Sequence, residues 1–181
     1  MSLFAQFHKE TKQSLKTSLG KNNVHQVPVI DKVIVNVGVG SLHTRKWVKD
    51  FSDIEKNLIK ITGQKPLLVK SKKSISNFKL REGMPVMFKV TLRREKAYEF
   101  LDKLTKIVMP RVRDFNGLNP KSFDPQANIN IGLTTQAIFP ELMADDPGAS
   151  MGVQINIVTH AESKSDAQAL LQSLWFIFIE K

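Results

Sequence analysis

Three segments of the sequence alternate between apolar and other residues, and this two-residue period constrains the fold more than any other feature. Residues 33–39 place a valine at every second position, and the same alternation recurs in residues 86–93 and 153–160. Because successive side chains of a β-strand point to opposite faces, each segment is predicted to be a strand with one buried face. Residues 67–70 and the stretch 129–139 predict further short strands.

Amphipathic helices are predicted between these strands, because apolar residues recur there at spacings of three and four. One stripe consists of Trp47, Phe51, Ile54, Leu58 and Ile61, and a second of Ala97, Leu101, Leu104 and Val108. Further helices are predicted in residues 3–19 and 163–174, with Ser163 as N-cap. Gly20 and Gly63 stand where C-terminal caps belong, and Pro110 is expected to end the second stripe. Since strands and helices mix without a βαβ rhythm, the prediction is an α+β fold with helices on one face of a sheet.

The other face of the predicted sheet is hydrophilic. It carries short hydrogen-bonding side chains and cations, namely Asn36, Lys89, Thr91, Arg93, Gln154 and Asn156. Such a face suits RNA better than it suits a second apolar layer.

The positive charge is concentrated rather than spread. The chain has a net charge of +10, and residues 65–96 alone carry ten basic and two acidic side chains. Within this segment, the loop 71–84 interleaves cations with apolar residues: Lys72, Lys73, Lys79 and Arg81 with Ile75, Phe78, Leu80 and Met84. Cations can neutralise phosphates and an aromatic ring can stack on a base, so this loop, projecting roughly 20 Å, is interpreted as an RNA contact. The alternative interpretation is a solvated flexible loop.

No catalytic or metal-binding constellation is visible in the sequence. The chain has no cysteine, its four histidines do not share a metal-ligand spacing, and no serine lies in a nucleophile motif. The glycines of Gly38-Val39-Gly40 lack the third glycine of a dinucleotide fingerprint, so a tight strand exit, or the close approach of an RNA backbone, explains them better. Asp145 and Asp146 are interpreted as a solvated turn. We therefore predict no cofactor and no enzymatic activity, and no apolar run approaches the roughly 18 residues of a membrane span.

Nine ordered blocks of the sequence resemble a known family. They are 34–40 (IVNVGVG), 61–66 (ITGQKP), 72–75 (KKSI), 78–85 (FKLREGMP), 89–93 (KVTLR), 98–101 (YEFL), 110–115 (PRVRDF), 121–124 (KSFD) and 138–141 (IFPE). Together they resemble large-subunit ribosomal protein five of the bacterial and organellar type, the family that binds 5S ribosomal RNA. The resemblance implies an antiparallel sheet flanked by helices, at the central protuberance of the large subunit.

The resemblance also implies roles for individual residues. The open sheet face of the family grips 5S rRNA, which here implicates Asn36, Gln64, Thr91 and Arg93, with Lys89 added from the same face. The basic loop of the family reaches toward the elbow of P-site tRNA, which here implicates Lys72, Lys73, Ser74, Phe78, Lys79 and Arg81. The second long loop meets a small-subunit protein across a subunit bridge, which here implicates Arg111, Arg113, Asp114, Phe115 and Lys121. The 23S rRNA and neighbouring large-subunit proteins complete the expected partners.

This chain departs from the family pattern at several places. Asn116 and Asn119 stand where Arg and Ser are usual, 125–129 (PQANI) replaces a Gly-Arg-Gly-Asn-Tyr run, and Arg94 replaces a glycine. Residues 142–151 lack the usual charged stretch, and the apolar residues 175–179 are unusual.

The whole chain, 1–181, is predicted to form a single ribosomal-protein domain. Its parts are a helix and linker at 1–26, the basic loop at 71–84 and a second long loop at 111–128. The expected location is the ribosome of the bacterial cytoplasm, with an organellar ribosome left open. A free RNA chaperone and an RNA-processing enzyme with a basic substrate channel are the alternative functions.

Overall fold

The computed structural model of the chain describes residues 4, 7, 11–42, 50–113, 115–143, 146 and 148–179. The described helices are α1 (Lys12–Ser18), α2 (Ser52–Thr62), α3 (Glu95–Lys103) and α4 (Lys164–Ser173). The strands are β1 (Val29–Gly38), β2 (Leu67–Lys70), β3 (Pro85–Arg93), β4 (Ile129–Leu133) and β5 (Val153–His160). They form one five-stranded antiparallel sheet in the order β2-β3-β1-β5-β4, so the predicted α+β fold is confirmed.

Buried and less buried side chains alternate along the strands, in step with the alternation of apolar and other residues in the sequence. In β1 the side chains of Val33, Val35 and Val37 are fully buried, and in β3 Val90 is fully buried. The residues between them are half-buried or exposed. Because burying an apolar side chain of this size stabilises the fold by about 1.5–3 kcal/mol, a one-residue slip of either strand would be strongly unfavourable.

The chain divides into two compact units, and the longer strands contribute residues to both. The first unit comprises Met1–Val33, Leu92–Ile131 and Asn156–Lys181. Its core is apolar and includes the fully buried side chains of Phe7, Leu101, Leu104, Ile129, Ile157, Leu170 and Leu171. Lys21 lies in the linker after α1 and forms ion pairs near the start of α4. Its ammonium group lies 2.7 Å from Glu162 and 3.0 Å from Asp166.

The second unit comprises Ile34–Thr91 and Gly132–Ile155. Its core includes Leu58 and Phe139, which are fully buried, and Ile61. The rings of Phe51 and Phe88 meet edge-on with centroids 6.5 Å apart. This division does not test the prediction that the whole chain is a single domain, which stays a prediction.

Two predicted helix boundaries are confirmed by their caps. Gly63 follows α2 with a φ of 64°, and its amide donates to the carbonyl oxygen of Ile59 over 2.8 Å. Only glycine adopts this left-handed conformation without steric cost. At α4, the Ser163 hydroxyl oxygen accepts a hydrogen bond from the amide of Asp166 over 3.2 Å, as the N-cap prediction requires.

The other helices differ from their predictions. The stripe expected to run to Pro110 is α-helical only to Lys103, and then continues as a π-turn (Leu104–Val108) and a 3-10 turn (Met109–Arg111). Pro110 lies inside that last turn because its missing N–H costs nothing where the hydrogen-bond pattern is already changing. The first helix is described from Lys12, and Trp47 of the predicted stripe lies outside the described residues. None of the described helices has the length and apolarity that a membrane crossing requires.

Candidate nucleic-acid interface

The polar side chains of the second unit form a half-exposed group that we call the polar platform, consisting of Asn36, Gln64, Lys89 and Thr91. Asn36 lies on β1 between the buried Val35 and Val37, so it points away from the core. Lys89 and Thr91 flank the buried Val90 on β3 in the same way. The platform residues are half-buried rather than sealed, although the side-chain oxygen of Asn36 is itself buried.

Gln64 joins the platform through hydrogen bonds at the exit of α2. Its side-chain amide donates to the carbonyl oxygen of Thr91 over 3.2 Å. Its backbone is held by Thr62, whose hydroxyl group donates to the carbonyl oxygens of Leu58 and Gln64 over 2.7 and 3.1 Å. The left-handed turn at Gly63 brings the chain back so that these bonds form. The helix exit is therefore a positioned part of the platform rather than a loose connection.

Arg93 is the last residue of β3 and lies two residues beyond Thr91, on the same face of that strand. Its side chain is exposed and has no ion-pair partner among the residues that the structure describes. A free guanidinium group on an open strand face is suited to a phosphate or to the edge of a base.

Asn156, another residue of the predicted hydrophilic face, also lies in the first unit. Its side-chain amide, on β5, donates to the side-chain oxygen of Asn130 on β4.

The basic loop 71–84 is a hairpin with two layers of backbone hydrogen bonds. At its base, the amide of Ser71 donates to the carbonyl oxygen of Met84 over 2.8 Å. Nearer the tip, Ile75 and Leu80 exchange two bonds of 2.9 and 3.1 Å. The Ser74 hydroxyl oxygen also accepts a bond of 3.0 Å from the amide of Glu82. These bonds give the loop a defined shape, which the interpretation as a solvated flexible loop does not predict.

The tip of this hairpin presents an aromatic ring beside a cation. Phe78 is 74% exposed, and Lys79 takes a φ of 52°, which turns the chain sharply after the 3-10 turn Ser76–Phe78. All six residues predicted to contact tRNA are exposed, namely Lys72, Lys73, Ser74, Phe78, Lys79 and Arg81. Within the described part of the chain, none of the four cations has an ion-pair partner. The hairpin thus brings an unneutralised positive charge and an exposed ring together.

The second long loop is held by the 175–179 segment. The amide of Leu118 donates to the carbonyl oxygen of Ile177 over 2.8 Å. The amide of Ile179 in turn donates to the carbonyl oxygen of Leu118 over 3.0 Å. The rings of Phe123 and Phe178 stack with centroids 5.8 Å apart. The apolar 175–179 segment therefore packs within its own unit through Phe176 and Phe178, and leaves Trp175 and Ile177 exposed.

The predicted bridge residues lie on this second loop. Arg111, Arg113 and Lys121 are exposed, Phe115 is half-buried, and Asp114 lies outside the described residues. Sequence reasoning missed the pairing of Leu118 with the 175–179 segment. The one signal was that residues 175–179 are apolar at every position, which indicates packing, but nothing in the sequence identified the segment they pair with.

A tight turn leads from this loop into β4. The Asp124 carboxylate accepts hydrogen bonds from the amides of Gln126 and Asn128, over 2.9 and 2.8 Å, and from the Asn128 side chain over 2.9 Å. Burial raises the pKa of Asp124, but these bonds and the charge of Lys164 lower it more, so the pKa lies below its ordinary value. Ala127 takes a φ of 62° at the apex of the turn.

The described residues hold no cluster of three histidine, aspartate or glutamate side chains arranged for a metal ion. Asp145, interpreted above as part of a solvated turn, lies outside the described residues. Around Gly40, an added Cβ would lie 3.5 Å from the carbonyl oxygen of Val86, an ordinary contact, so the packing of the chain itself does not require this glycine. The strand ends at Gly38, in agreement with the interpretation of this glycine pair as a strand exit.

Comparison with known proteins gives matches along almost the whole chain. Residues 23–81 match the family described as "Ribosomal protein L5", and residues 85–178 match the model of the C-terminus of the same ribosomal family. A protein of Natranaerobius thermophilus named "Large ribosomal subunit protein uL5" is 45% identical over 176 residues, covering 97% of each chain. Proteins of the same name are 44% identical in Thermus thermophilus, over 98% of this chain and 97% of theirs, and 46% identical in Caldanaerobacter subterraneus, over 95% of each.

Proposed function

Because this chain belongs to the ribosomal protein L5 family, a structural family of the large ribosomal subunit and not one of enzymes, we propose that it binds 5S ribosomal RNA through the open face of its sheet. One observation carries this proposal: the platform residues Asn36 and Thr91 alternate with fully buried apolar residues yet remain half-exposed themselves. The core thus fixes the direction of these polar side chains while leaving them partly accessible.

The chemistry of the platform fits unpaired RNA. The side-chain amide of Gln64 and the hydroxyl group of Thr91 can donate and accept hydrogen bonds, and the amide nitrogen of Asn36 can donate, which is what the exposed edges of loop bases need. Lys89 and Arg93 add charges that neutralise the phosphates beside those bases. Because the platform is built on strands and a capped helix exit, little side-chain freedom is lost on binding.

The basic hairpin is proposed to contact the elbow of P-site tRNA. Its cations Lys72, Lys73, Lys79 and Arg81 would neutralise the tRNA backbone, and the Phe78 ring would stack on an exposed base. Support comes from the exposure of the ring and from the two layers of backbone hydrogen bonds that shape the hairpin. Ser74 then has a structural part as well, because its hydroxyl group holds the amide of Glu82.

The second long loop is proposed to meet a small-subunit protein across a subunit bridge, through Arg111, Arg113, Asp114, Phe115 and Lys121. Among the predicted bridge residues that the structure describes, the charged ones are Arg111, Arg113 and Lys121, and all are cations. An acidic partner surface would therefore complement them. The backbone pairing of Leu118 with the 175–179 segment supports this role, because it ties the middle of the loop to that segment.

We propose 23S rRNA and neighbouring large-subunit proteins as the remaining partners, and the bacterial cytoplasm as the location. The net charge of +10 favours contact with more than one polyanion surface. The relatives that match this chain come from bacteria, which supports a bacterial ribosome.

The test of the 5S contact is a binding titration across a salt series. The purified protein should bind 5S rRNA tightly, with an affinity that falls steeply as salt rises, because counterions are released from each neutralised phosphate. An unrelated RNA of the same length serves as the comparison. Equal affinity for both RNAs would contradict the proposal.

A further inference from the structure

A cavity of about 600 Å³ lies in the first unit, apart from every residue assigned above to RNA or protein contacts. Its polar lining includes Lys12 of α1, Arg94 at the start of α3 and His160 at the end of β5. These residues lie far apart from one another in the sequence, and only the fold brings them to one cavity. Cavities that hold a small ligand commonly have volumes of about 300–1,000 Å³.

No described residue neutralises the two cations of this cavity. Neither Lys12 nor Arg94 has an ion pair or a hydrogen bond from its side chain to any residue that the structure describes. The carboxylate in the lining belongs to Asp31, and it already lies 3.1 Å from the ammonium group of Lys32. Two cations that line one cavity, with no pairing partner among the described residues, attract an anion to that cavity.

Arg94 has a backbone conformation that its side chain does not favour. Its φ of 52° and ψ of −131° lie in a region that glycine adopts readily and other residues rarely do. Strained residues of this kind cluster at binding sites, where the side chain repays the strain through its contacts. Arg94 also immediately precedes α3, and the start of a helix carries a partial positive charge that adds to the guanidinium group.

Apart from Asp31, the rest of the lining is aromatic and apolar. The Phe4 ring meets the Tyr98 ring edge-on at 5.5 Å, and Val29 and Ile30 complete this wall. Burial raises the pKa of Tyr98 to about 12, so the phenol stays neutral and brings no negative charge to the cavity. A ligand that uses both the cations and the aromatic, apolar part of the lining needs an anionic group joined to a flat or apolar one.

We infer that this cavity binds a nucleotide unit, with its phosphate between Lys12 and Arg94 and its base against the Phe4 wall. His160 supplies an imidazole donor to the same phosphate or to the ribose. The unit is either a nucleotide of an RNA strand or a free mononucleotide, since both present the same chemistry. The inference does not depend on the proposed 5S contact, because that contact uses other residues.

The experiment titrates the full chain with UMP and AMP, and with inorganic phosphate and uridine as partial ligands. Amide resonances of residues 30, 94 and 98 are followed by NMR. Both mononucleotides should shift these resonances and bind at least about tenfold more tightly than phosphate or uridine, because each partial ligand fills one wall only. No shift with either mononucleotide would overturn the inference. Equal binding of phosphate and mononucleotide would overturn the base contact.

Arg94→Gly separates binding from folding. Glycine accepts the φ of this position, so the variant should unfold at an equal or higher temperature while its affinity for UMP falls about tenfold. Lys12→Ala should lower the affinity to a similar extent. Lys96→Ala is the matched control, because it also removes one exposed cation of α3 but does not line the cavity. An Arg94→Gly protein that binds UMP as tightly as the parent does would overturn the assignment.

The two sources of the ligand are distinguished by competition. If RNA supplies the nucleotide, a hexauridylate should displace UMP from the cavity and bind more tightly than UMP does. If a free nucleotide is the ligand, the hexauridylate should fail to displace UMP. These readouts need no 5S rRNA, so a failure of the proposed 5S contact would leave them unchanged.

Discussion

The side-chain amide of Gln64 donates a hydrogen bond to the carbonyl oxygen of Thr91, over 3.2 Å. This bond joins the exit of α2 to the middle of the polar platform, although the two residues are 27 positions apart. Since both side chains remain half-exposed, the bond orders the platform without closing it to a ligand.

Replacing Gln64 by glutamate tests this link. The carboxylate oxygen would face the carbonyl oxygen of Thr91, so a donated bond becomes a repulsion between two acceptors. We expect the free energy of unfolding to fall by about 1 kcal/mol and the affinity for 5S rRNA to fall as well. Urea unfolding and an RNA titration measure the two effects. Gln172→Glu changes the charge equally at an exposed position of α4, and an equal loss in that variant would contradict the prediction.

Arg93→Ala should weaken binding to 5S rRNA by roughly 1–3 kcal/mol if its guanidinium group contacts a base edge. The side chain is exposed and unpaired within the described residues, so the substitution should leave the unfolding temperature unchanged. The control Lys56→Ala also removes one positive charge, and it breaks only an exposed pair with Asp53 at 3.7 Å. If both variants lose the same affinity, Arg93 acts through overall charge alone.

The hairpin variants divide the two RNA contacts. Lys72→Ala combined with Lys73→Ala should spare 5S binding but weaken the contact with P-site tRNA and flatten its salt dependence. Phe78→Ala should weaken the tRNA contact by about 1–3 kcal/mol through lost stacking, without changing stability, because the ring is 74% exposed. Binding of tRNA to reconstituted subunits provides the measurement. Collapse of 5S binding in the lysine variant would contradict this division of roles.

Gly117→Ala should release the second long loop. Gly117 has a φ of 114°, and an added Cβ would lie 3.0 Å from the amide nitrogen of Ile179. The pairing with Leu118 must then shift, so trypsin should cut faster after Arg111, Arg113 and Lys121. Gly132→Ala is the control, because no atom lies within 4 Å of an added Cβ there. Equal cleavage rates in the two variants would show that the pairing does not order the loop.

The turn at Asp124 should make stability depend on acid. Because the pKa of Asp124 in the folded chain lies below its ordinary value of 3.8, its stabilising contribution is present above that value and disappears as the pH falls through the folded pKa. Asp124→Asn should therefore be less stable than the parent at pH 7, with a difference that shrinks in acid. Urea unfolding at several pH values measures this difference. Glu99→Gln, at an exposed position of α3, should show no such convergence.

Local sequence patterns predicted much of the fold. The strand β2 was predicted within its observed bounds, the apolar residues of β1 and β3 face the core as expected, and Gly63 and Ser163 cap their helices. These features depend on residues at most four positions apart, so period and cap chemistry are sufficient to find them. The transition from α3 into a π-turn and a 3-10 turn was not predictable, because packing within the unit overrides the helical period there.

What the sequence by itself determined was therefore the elements, the hydrophilic face of the sheet, the basic hairpin and the family. Only the tertiary structure decided that Gln64 bonds to Thr91, that Leu118 pairs with the 175–179 segment, and that Lys12, Arg94 and His160 line one cavity. The physical reason is the distance along the chain. Contacts between segments 27 or more residues apart depend on the path of the backbone, and no local period records that path.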